Sequence, residues 1–173
     1  MGGLVAVQWV LRPSVKINAL ILSSPFLGLR LPRFLIQFNN LMNQFFPKFN
    51  YQNPVYPPHL SHNPEEIKAY KQDPLIQRRM SVRLLHESML AMERLAAIPS
   101  FQFSFPLYVL TAGMEKVVDG DRTRAFFDKV QAPAKEMKVF EGFYHEIFNE
   151  LDQQKAFQAL KECFHSPLTG KAV

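Results

Sequence analysis

Three short apolar segments limit the folds that this chain can adopt. They are residues 18–23 (NALILS), 107–111 (LYVLT) and 137–140 (MKVF). Nearly continuous apolar runs of this length are typical of strands covered on both faces, as in parallel sheets. Residues 2–12, 121–130 and 151–164 have apolar side chains at helical spacing. The alternation of helix and strand predicts an α/β fold with a doubly wound, mainly parallel sheet, of which this chain forms the second half.

A long segment separates the first two predicted strands. We assign residues 1–25 and 105–173 to the α/β core and residues 26–104 to a helical insertion. The insertion is predicted to contain a short helix introduced by Asn63-Pro64, with Glu65 and Glu66 in its first turn, and a long helix over residues 75–97. Before these helices, residues 31–46 carry an apolar stripe rich in Phe. That stripe fits either a helix facing the core or a lid over a lipid-sized pocket. As a lid, it would contact a membrane surface with the flanking side chains of Arg30, Arg33 and Lys48.

Composition excludes several classes of protein. The formal net charge is +5, but no run of Lys and Arg is dense enough to indicate nucleic-acid binding, so we expect no nucleic-acid partner. A single cysteine, Cys163, excludes an internal disulfide and any metal cluster built on several cysteines. No stretch has the length and apolar character of a membrane-spanning helix.

Candidate catalytic residues follow the second and third predicted strands. Glu115, Asp119 and Asp121 follow the second strand, and His145 follows the third. In open α/β sheets, reacting groups collect at the carboxyl ends of strands, so an acid and a histidine there can form a proton-transferring pair. Asp121 is better placed to cap the following helix. We interpret the remaining histidines as ordinary surface groups: His59, His62, His86 and His165.

Several motifs resemble the α/β-hydrolase superfamily, in its monoacylglycerol lipase/lysophospholipase branch of serine aminopeptidase S33-like hydrolases. Met1-Gly2-Gly3 matches the end of that branch's nucleophile elbow, G-H-S-M-G-G, a form of the G-x-S-x-G turn. ALILSSPFLG resembles the strand that follows, YKQDPLI a segment of the family's cap, and EGFYHEIFNE its histidine loop. The matches span essentially the whole chain in the family's order.

The resemblance implies specific catalytic roles. The nucleophilic serine of the family immediately precedes the position of Met1, so we expect an N-terminally truncated chain, the C-terminal half of an α/β-hydrolase with its helical cap. The backbone N–H at Met1 would donate to the oxyanion, and His145 would be the base. The family's acid is usually Asp, whereas this chain has Glu115 at the aligned position, with Asp119 as the alternative.

The resemblance also implies a reaction. We expect a serine carboxylic-ester hydrolase that cleaves a lysophospholipid or monoacylglycerol through an acyl-enzyme, without metal or organic cofactor. This chain alone should be inactive. One alternative is another cap-bearing hydrolase, such as a proline-iminopeptidase-like peptidase; another is a non-catalytic remnant that binds lipid. The expected partner is a lipid or ester substrate, and the expected location is cytoplasmic or peripheral to a membrane.

Overall fold

The computed structural model describes residues 1–53 and 55–165. The helices in this part of the chain are α1 (Gly2–Val10), α2 (Arg33–Phe45), α3 (Pro64–Gln72), α4 (Val82–Ala97), α5 (Gly120–Lys129) and α6 (Gln153–His165). The strands are β1 (Leu20–Ser23), β2 (Asn50–Gln52), β3 (Arg79–Ser81), β4 (Phe101–Gln102), β5 (Leu107–Ala112), β6 (Val130–Gln131) and β7 (Lys135–Phe140). Two 3₁₀ turns lie at Pro57–His59 and Ile147–Asn149.

The three predicted strands form one parallel sheet in the order β1-β5-β7. Leu22 of β1 lies beside Val109 of β5, and Val109 lies beside Met137 of β7. All six residues of the central strand β5 are buried, which is typical of a strand covered on both faces. The sheet confirms the predicted α/β class.

Alternate side chains of β5 point to opposite faces of the sheet. Leu107 and Val109 belong to one apolar cluster, together with the buried side chains of α1: Leu4, Val7 and Val10. Tyr108 and Leu110 belong to a second cluster, together with the buried side chains of α6: Ala156, Ala159 and Cys163. Helices therefore cover both faces of the sheet, as in a doubly wound fold.

The inserted segment (residues 26–104) contains its own small sheet, in which β2 and β3 are antiparallel. The sequence pattern predicts one long helix over residues 75–97, and the first part of that prediction is wrong. Residues 79–81 pair with β2 instead, and α4 begins only at Val82. The Ser81 side chain caps the helix by accepting a hydrogen bond from the Leu84 N–H at 3.1 Å.

The last helix of the inserted segment also reaches the core. Met92 and Leu95 of α4 belong to the apolar cluster beneath α1, and α2 packs against the rest of α4. The division into a core (residues 1–25 and 105–173) and a helical cap stays a prediction, and residues 166–173 of that core lie outside the described part.

Candidate active site

Two loops follow β5 and β7, an acid loop (residues 113–119) and a histidine loop (residues 141–150). Gly113 donates its N–H to the Phe140 carbonyl at 2.9 Å, and Met114 donates to the Phe143 carbonyl at 3.0 Å. A Cβ atom on Gly113 would lie 2.9 Å from Cα of Glu141, so this close approach requires glycine. Gly142 has φ +80°, which glycine adopts readily. The two loops are therefore held side by side beyond the sheet.

Glu115 and His145 meet at this edge. The Nδ1 atom of His145 lies 2.8 Å from Oε2 of Glu115. The other carboxylate oxygen accepts the backbone N–H groups of Val117 at 2.7 Å and Val118 at 3.1 Å. Because an ionised carboxylate can only accept, Nδ1 of His145 carries the hydrogen in this contact. Nε2 is then the ring atom that can take a proton from a nucleophile.

The environment of Glu115 keeps its carboxylate ionised. Burial by itself raises the pKa of Glu115, but the hydrogen bond and charge of His145 and the N–H groups of Val117 and Val118 more than offset that effect. The net result is a pKa below the ordinary value for glutamic acid. The side chain is only 6% exposed, so the pair with His145 is shielded from solvent on the acid side.

Asp119 is engaged elsewhere. Its side chain caps α5 by accepting the Asp121 N–H at 3.1 Å, and it also pairs with Arg30 at 3.3 Å. The expectation that Asp121 caps this helix is therefore wrong. The helix begins at Gly120, so the capping position falls on Asp119. Asp121 is exposed and pairs with Arg30 at 2.9 Å.

Met1 lies at the capping position of α1, where its carbonyl accepts the N–H groups of Leu4 and Val5. A Cβ atom on Gly3 would lie 2.7 Å from Cβ of Pro25, so α1 begins in close contact with the end of β1. The placement of Met1 at the start of this helix is compatible with the oxyanion role that the resemblance implies. That role stays a prediction.

Sequence reasoning gave no role to Ser24, which directly follows β1. It has φ 34°, a value that residues other than glycine rarely adopt, and it is 6% exposed. Its Oγ atom has no hydrogen-bond partner among the described residues. The Ser-Ser-Pro sequence at the end of an apolar run is a turn signal, but it does not indicate this strained backbone.

A largely apolar cavity of about 630 Å³ adjoins the acid loop. Glu115, Val117 and Val118 line one side of it. The inserted segment supplies the facing wall, including Leu35, Phe38 and Met42 of α2, and also Tyr51, Tyr56, His59 and Met80. The acid of the proposed pair therefore borders a space large enough for a small lipid or drug-sized ligand.

The Phe-rich stripe of α2 does not face the core. Asn39 is its one buried residue, whereas Phe34, Phe38 and Phe45 are 66%, 59% and 68% exposed. The interpretation of this helix as a core helix is therefore wrong, because one side of its stripe borders the cavity and the rest faces solvent. Within the described ranges, no helix has both the length and the hydropathy needed to cross a membrane.

The other histidines form local contacts. His86 contacts Asn40, His165 contacts the Lys161 carbonyl, and His59 packs against Tyr56 at the cavity. His62 differs from these three, since it contacts a buried carboxylate, Glu150. Among residues 1–53 and 55–165, no group of three or more His, Cys, Asp or Glu side chains is arranged to hold a metal ion.

Comparisons with known proteins agree with this architecture. A family model described as "Serine aminopeptidase, S33" matches residues 1–152. Phospholipase YtpA of Bacillus subtilis is 34% identical over 165 residues, which are 93% of this chain and 63% of that protein. The monoacylglycerol lipase of Mycolicibacterium smegmatis is 22% identical over 156 residues, covering 89% of this chain and 55% of that protein.

Solved structures show the same fold. The monoacylglycerol lipase of Paleococcus ferrophilus superposes with a TM-score of 0.85 at 26% identity, over 97% of this chain and 65% of that one. A soluble variant of the Saccharomyces cerevisiae monoglyceride lipase superposes with a TM-score of 0.80 at 19% identity, over 92% of this chain and 60% of that one. This chain thus spans a little under two thirds of such relatives. It belongs to the serine aminopeptidase S33 family of the α/β-hydrolase superfamily, within the monoacylglycerol lipase branch.

Proposed function

We propose that this chain carries the acid, the base and the acyl-chain pocket of a serine carboxylic-ester hydrolase that acts on a lysophospholipid or a monoacylglycerol. The observation that carries the proposal is the contact of 2.8 Å between Glu115 and His145 beside a largely apolar cavity. Glu115 is the acid in this proposal, because Asp119 is engaged by Arg30 and by the start of α5.

In the proposed reaction, Nε2 of His145 accepts the proton of a serine hydroxyl while the serine oxygen attacks the ester carbonyl. The imidazolium that forms is stabilised by the Glu115 carboxylate on Nδ1. His145 then gives the proton to the departing alcohol, which leaves an acyl-enzyme. A water molecule, deprotonated by the same nitrogen, hydrolyses the acyl-enzyme and restores the serine.

The nucleophile in this proposal is the serine of the family's elbow, which immediately precedes the position of Met1. The backbone N–H at Met1 would then lie at the start of α1 and donate to the oxyanion. The position of Met1 at the cap of α1 supports this placement. In this proposal, acyl-enzyme formation depends on that serine, whereas substrate binding and proton transfer depend on the cavity and on His145 of the described chain.

The lining of the cavity favours an acyl chain over a peptide. A peptide amine needs a carboxylate to pair with, but Glu115, the carboxylate in the lining, is already paired with His145. An acyl chain gains about 0.8 kcal/mol for each CH₂ group that it buries. The names of the relatives, a phospholipase and monoacylglycerol lipases, also favour a lipid substrate.

The exposed part of the insertion supports a peripheral contact with a membrane surface. Phe34, Phe45 and Phe46 are 66%, 68% and 60% exposed, and the side chains of Arg33 and Lys48 near them are also exposed. An apolar surface flanked by cations suits the boundary between acyl chains and anionic head groups. Such a contact would bring the mouth of the cavity close to its substrate.

The test is to express the chain together with the residues encoded directly upstream of Met1. We expect labelling of a serine by a fluorophosphonate and hydrolysis of lysophosphatidylcholine or monoacylglycerol, both abolished by His145→Ala. Hydrolysis of a prolyl arylamide in preference to these lipids would establish the peptidase alternative instead. Lipid binding without any serine labelling would identify a non-catalytic lipid-binding protein.

A further inference from the structure

A second carboxylate–histidine pair lies beside the Glu115–His145 pair, and the proposed reaction does not use it. Oε1 of Glu150 lies 2.9 Å from Nδ1 of His62, and the Glu150 side chain is 3% exposed. Glu150 ends the histidine loop, whereas His62 belongs to the inserted segment, 88 residues earlier in the chain. The pair therefore joins two parts of the molecule that are remote in sequence.

The Glu150 carboxylate holds both parts at once. Oε1 also accepts the backbone N–H of Tyr144 at 2.6 Å, and Oε2 accepts the backbone N–H of His62 at 3.1 Å. Tyr144 is the residue immediately before His145. One buried group thus fixes the backbone next to the proposed base and, at the same time, the backbone of the inserted segment.

Further contacts run along the same junction. The Glu146 N–H donates to the Leu60 carbonyl at 2.8 Å, and the Ser61 hydroxyl donates to the Asn149 carbonyl at 2.7 Å. The rings of His62 and Tyr144 are stacked, with centroids 3.7 Å apart. We call this set of contacts between residues 60–63 and residues 144–150 the Glu150 junction.

The acid loop is attached to the junction as well. The Lys116 ammonium lies 3.9 Å from the centroid of the Tyr144 ring and donates to the Tyr144 hydroxyl. Glu115 contacts His145, while the next residue, Lys116, contacts the residue before His145. Two adjacent contacts therefore fix the relative position of the acid and the base. The first is between Glu115 and His145, and the second is between Lys116 and Tyr144.

Burial of a carboxylate is costly unless its oxygen atoms are hydrogen-bonded. Burial alone raises the pKa of Glu150, but the N–H groups of Tyr144 and His62 and the His62 ring offset that effect, so the pKa lies below its ordinary value. A protein in which apolar side chains replace a buried charged pair is often as stable as the original, so stability alone does not account for such an arrangement. What the arrangement does supply is a fixed position for every group bonded to it.

We propose that Glu150 is a positioning residue that couples the histidine loop to the wall of the cavity. The inserted segment enters the junction at Leu60, directly after Tyr56 and His59, which line the cavity. A ligand that orders this wall therefore also orders residues 60–63 and, through Glu150, the backbone at Tyr144 and His145. The catalytic consequence rests on the function proposed above, whereas the mechanical coupling does not.

The test compares amide hydrogen exchange in the 173-residue chain with and without the hexadecyl ether analogue of a monoacylglycerol. Glu150→Gln keeps the size of the side chain and removes its charge. Glu162→Gln is the matched control, because Glu162 is exposed and pairs with Lys138, and neither residue belongs to the Glu150 junction. In the wild type and in the control, the analogue should slow exchange in residues 60–63 and 143–149 together.

In Glu150→Gln, loss of charged hydrogen bonds should speed exchange of residues 143–149 by about tenfold or more, while exchange in β5 stays unchanged. The analogue should still protect residues 60–63 but no longer residues 143–149. If the analogue still protects residues 143–149 in the variant, the proposal is overturned. Faster exchange throughout the chain would overturn it as well, because it indicates a merely structural role. If the analogue fails to bind the wild type, the lipid function is wrong, while the exchange of the free variant still decides the positioning role.

A kinetic readout completes the test in a chain extended by the serine elbow of the proposed function. Glu150→Gln should lower kcat by about tenfold or more and leave KM within about threefold, since it displaces the base but not the cavity. A proportional rise in KM with unchanged kcat would contradict a positioning role.

Discussion

Truncation of Phe38 should weaken the binding of long acyl chains without affecting stability. Phe38 lines the cavity and is 59% exposed. An aromatic side chain has about 200 Å² of surface, so about 120 Å² of it is available to a bound chain. If the chain covers about half of that area, at about 25 cal/mol per Å², Phe38→Ala costs about 1.5 kcal/mol of binding free energy.

This cost corresponds to about a tenfold increase in Kd. The assay is fluorescence competition with the hexadecyl ether of glycerol, compared with the butyl ether, whose short chain we expect to cover less of Phe38. The matched control is Phe45→Ala, because Phe45 lies on the same helix and is 68% exposed but is not part of the described cavity lining. Both variants should melt within a few degrees of the wild type, since exposed substitutions change stability little.

Equal weakening by Phe38→Ala and Phe45→Ala would refute the reasoning, because the two positions differ in their contact with the cavity and not in their exposure. Equal weakening for the hexadecyl and butyl ethers would also refute it, since only the longer chain gains from covering Phe38. A large loss of melting temperature in Phe38→Ala would mean that the side chain packs in the fold.

Three further predictions concern the loops at the sheet edge. In a chain extended by the serine elbow of the proposed function, His145→Ala should lower kcat by several orders of magnitude, and Glu115→Ala should cost more than Asp119→Ala in steady-state assays; the reverse order would assign the acid to Asp119. Folding lowers the pKa of Glu115 and the pKa of Glu150, so both ionised carboxylates stabilise the folded state. This contribution is complete above the ordinary pKa of glutamic acid and is lost as the pH falls through the lowered pKa values of the folded state. The free energy of unfolding in urea should therefore fall as the solution is acidified, and this fall should be smaller in Glu150→Gln. Gly113→Ala should destabilise the fold by about 1–3 kcal/mol in the same assay, because its Cβ would meet the backbone of the histidine loop; an unchanged midpoint would show that the loops can separate freely.

The parts of the fold that depend on local pattern could be predicted from the sequence. The parallel strands form where apolar runs occur, and the acid and the histidine meet because both follow strands of one sheet. Helix α3 begins at Pro64 with Asn63 as its cap, as the Asn-Pro-Glu-Glu pattern indicates. The strands and the start of α3 are encoded within a few neighbouring residues, whereas the meeting of the acid and the histidine, 30 residues apart, follows from the pairing of their strands.

Features that depend on remote contacts could not be predicted in this way. The start of α4 was misplaced because residues 79–81 pair with a strand about thirty residues earlier, and strand pairing at that distance has no local signal. The cap of α5 was misplaced by two residues because Asp119 and Asp121 are both of a residue type that favours the capping position. His62 resembled an ordinary surface histidine, since its partner Glu150 lies 88 residues away.

The arrangement of the cavity has an evolutionary consequence. The Glu115–His145 pair is built entirely from loops that follow strands of the parallel sheet, whereas most of the facing wall of the cavity comes from the inserted segment. Mutations in α2 or in the small antiparallel sheet can therefore alter which ligands fit while the acid and the base keep their geometry. Changes in residues 60–63 would be less free, because Ser61 and His62 contact the histidine loop through Asn149 and Glu150.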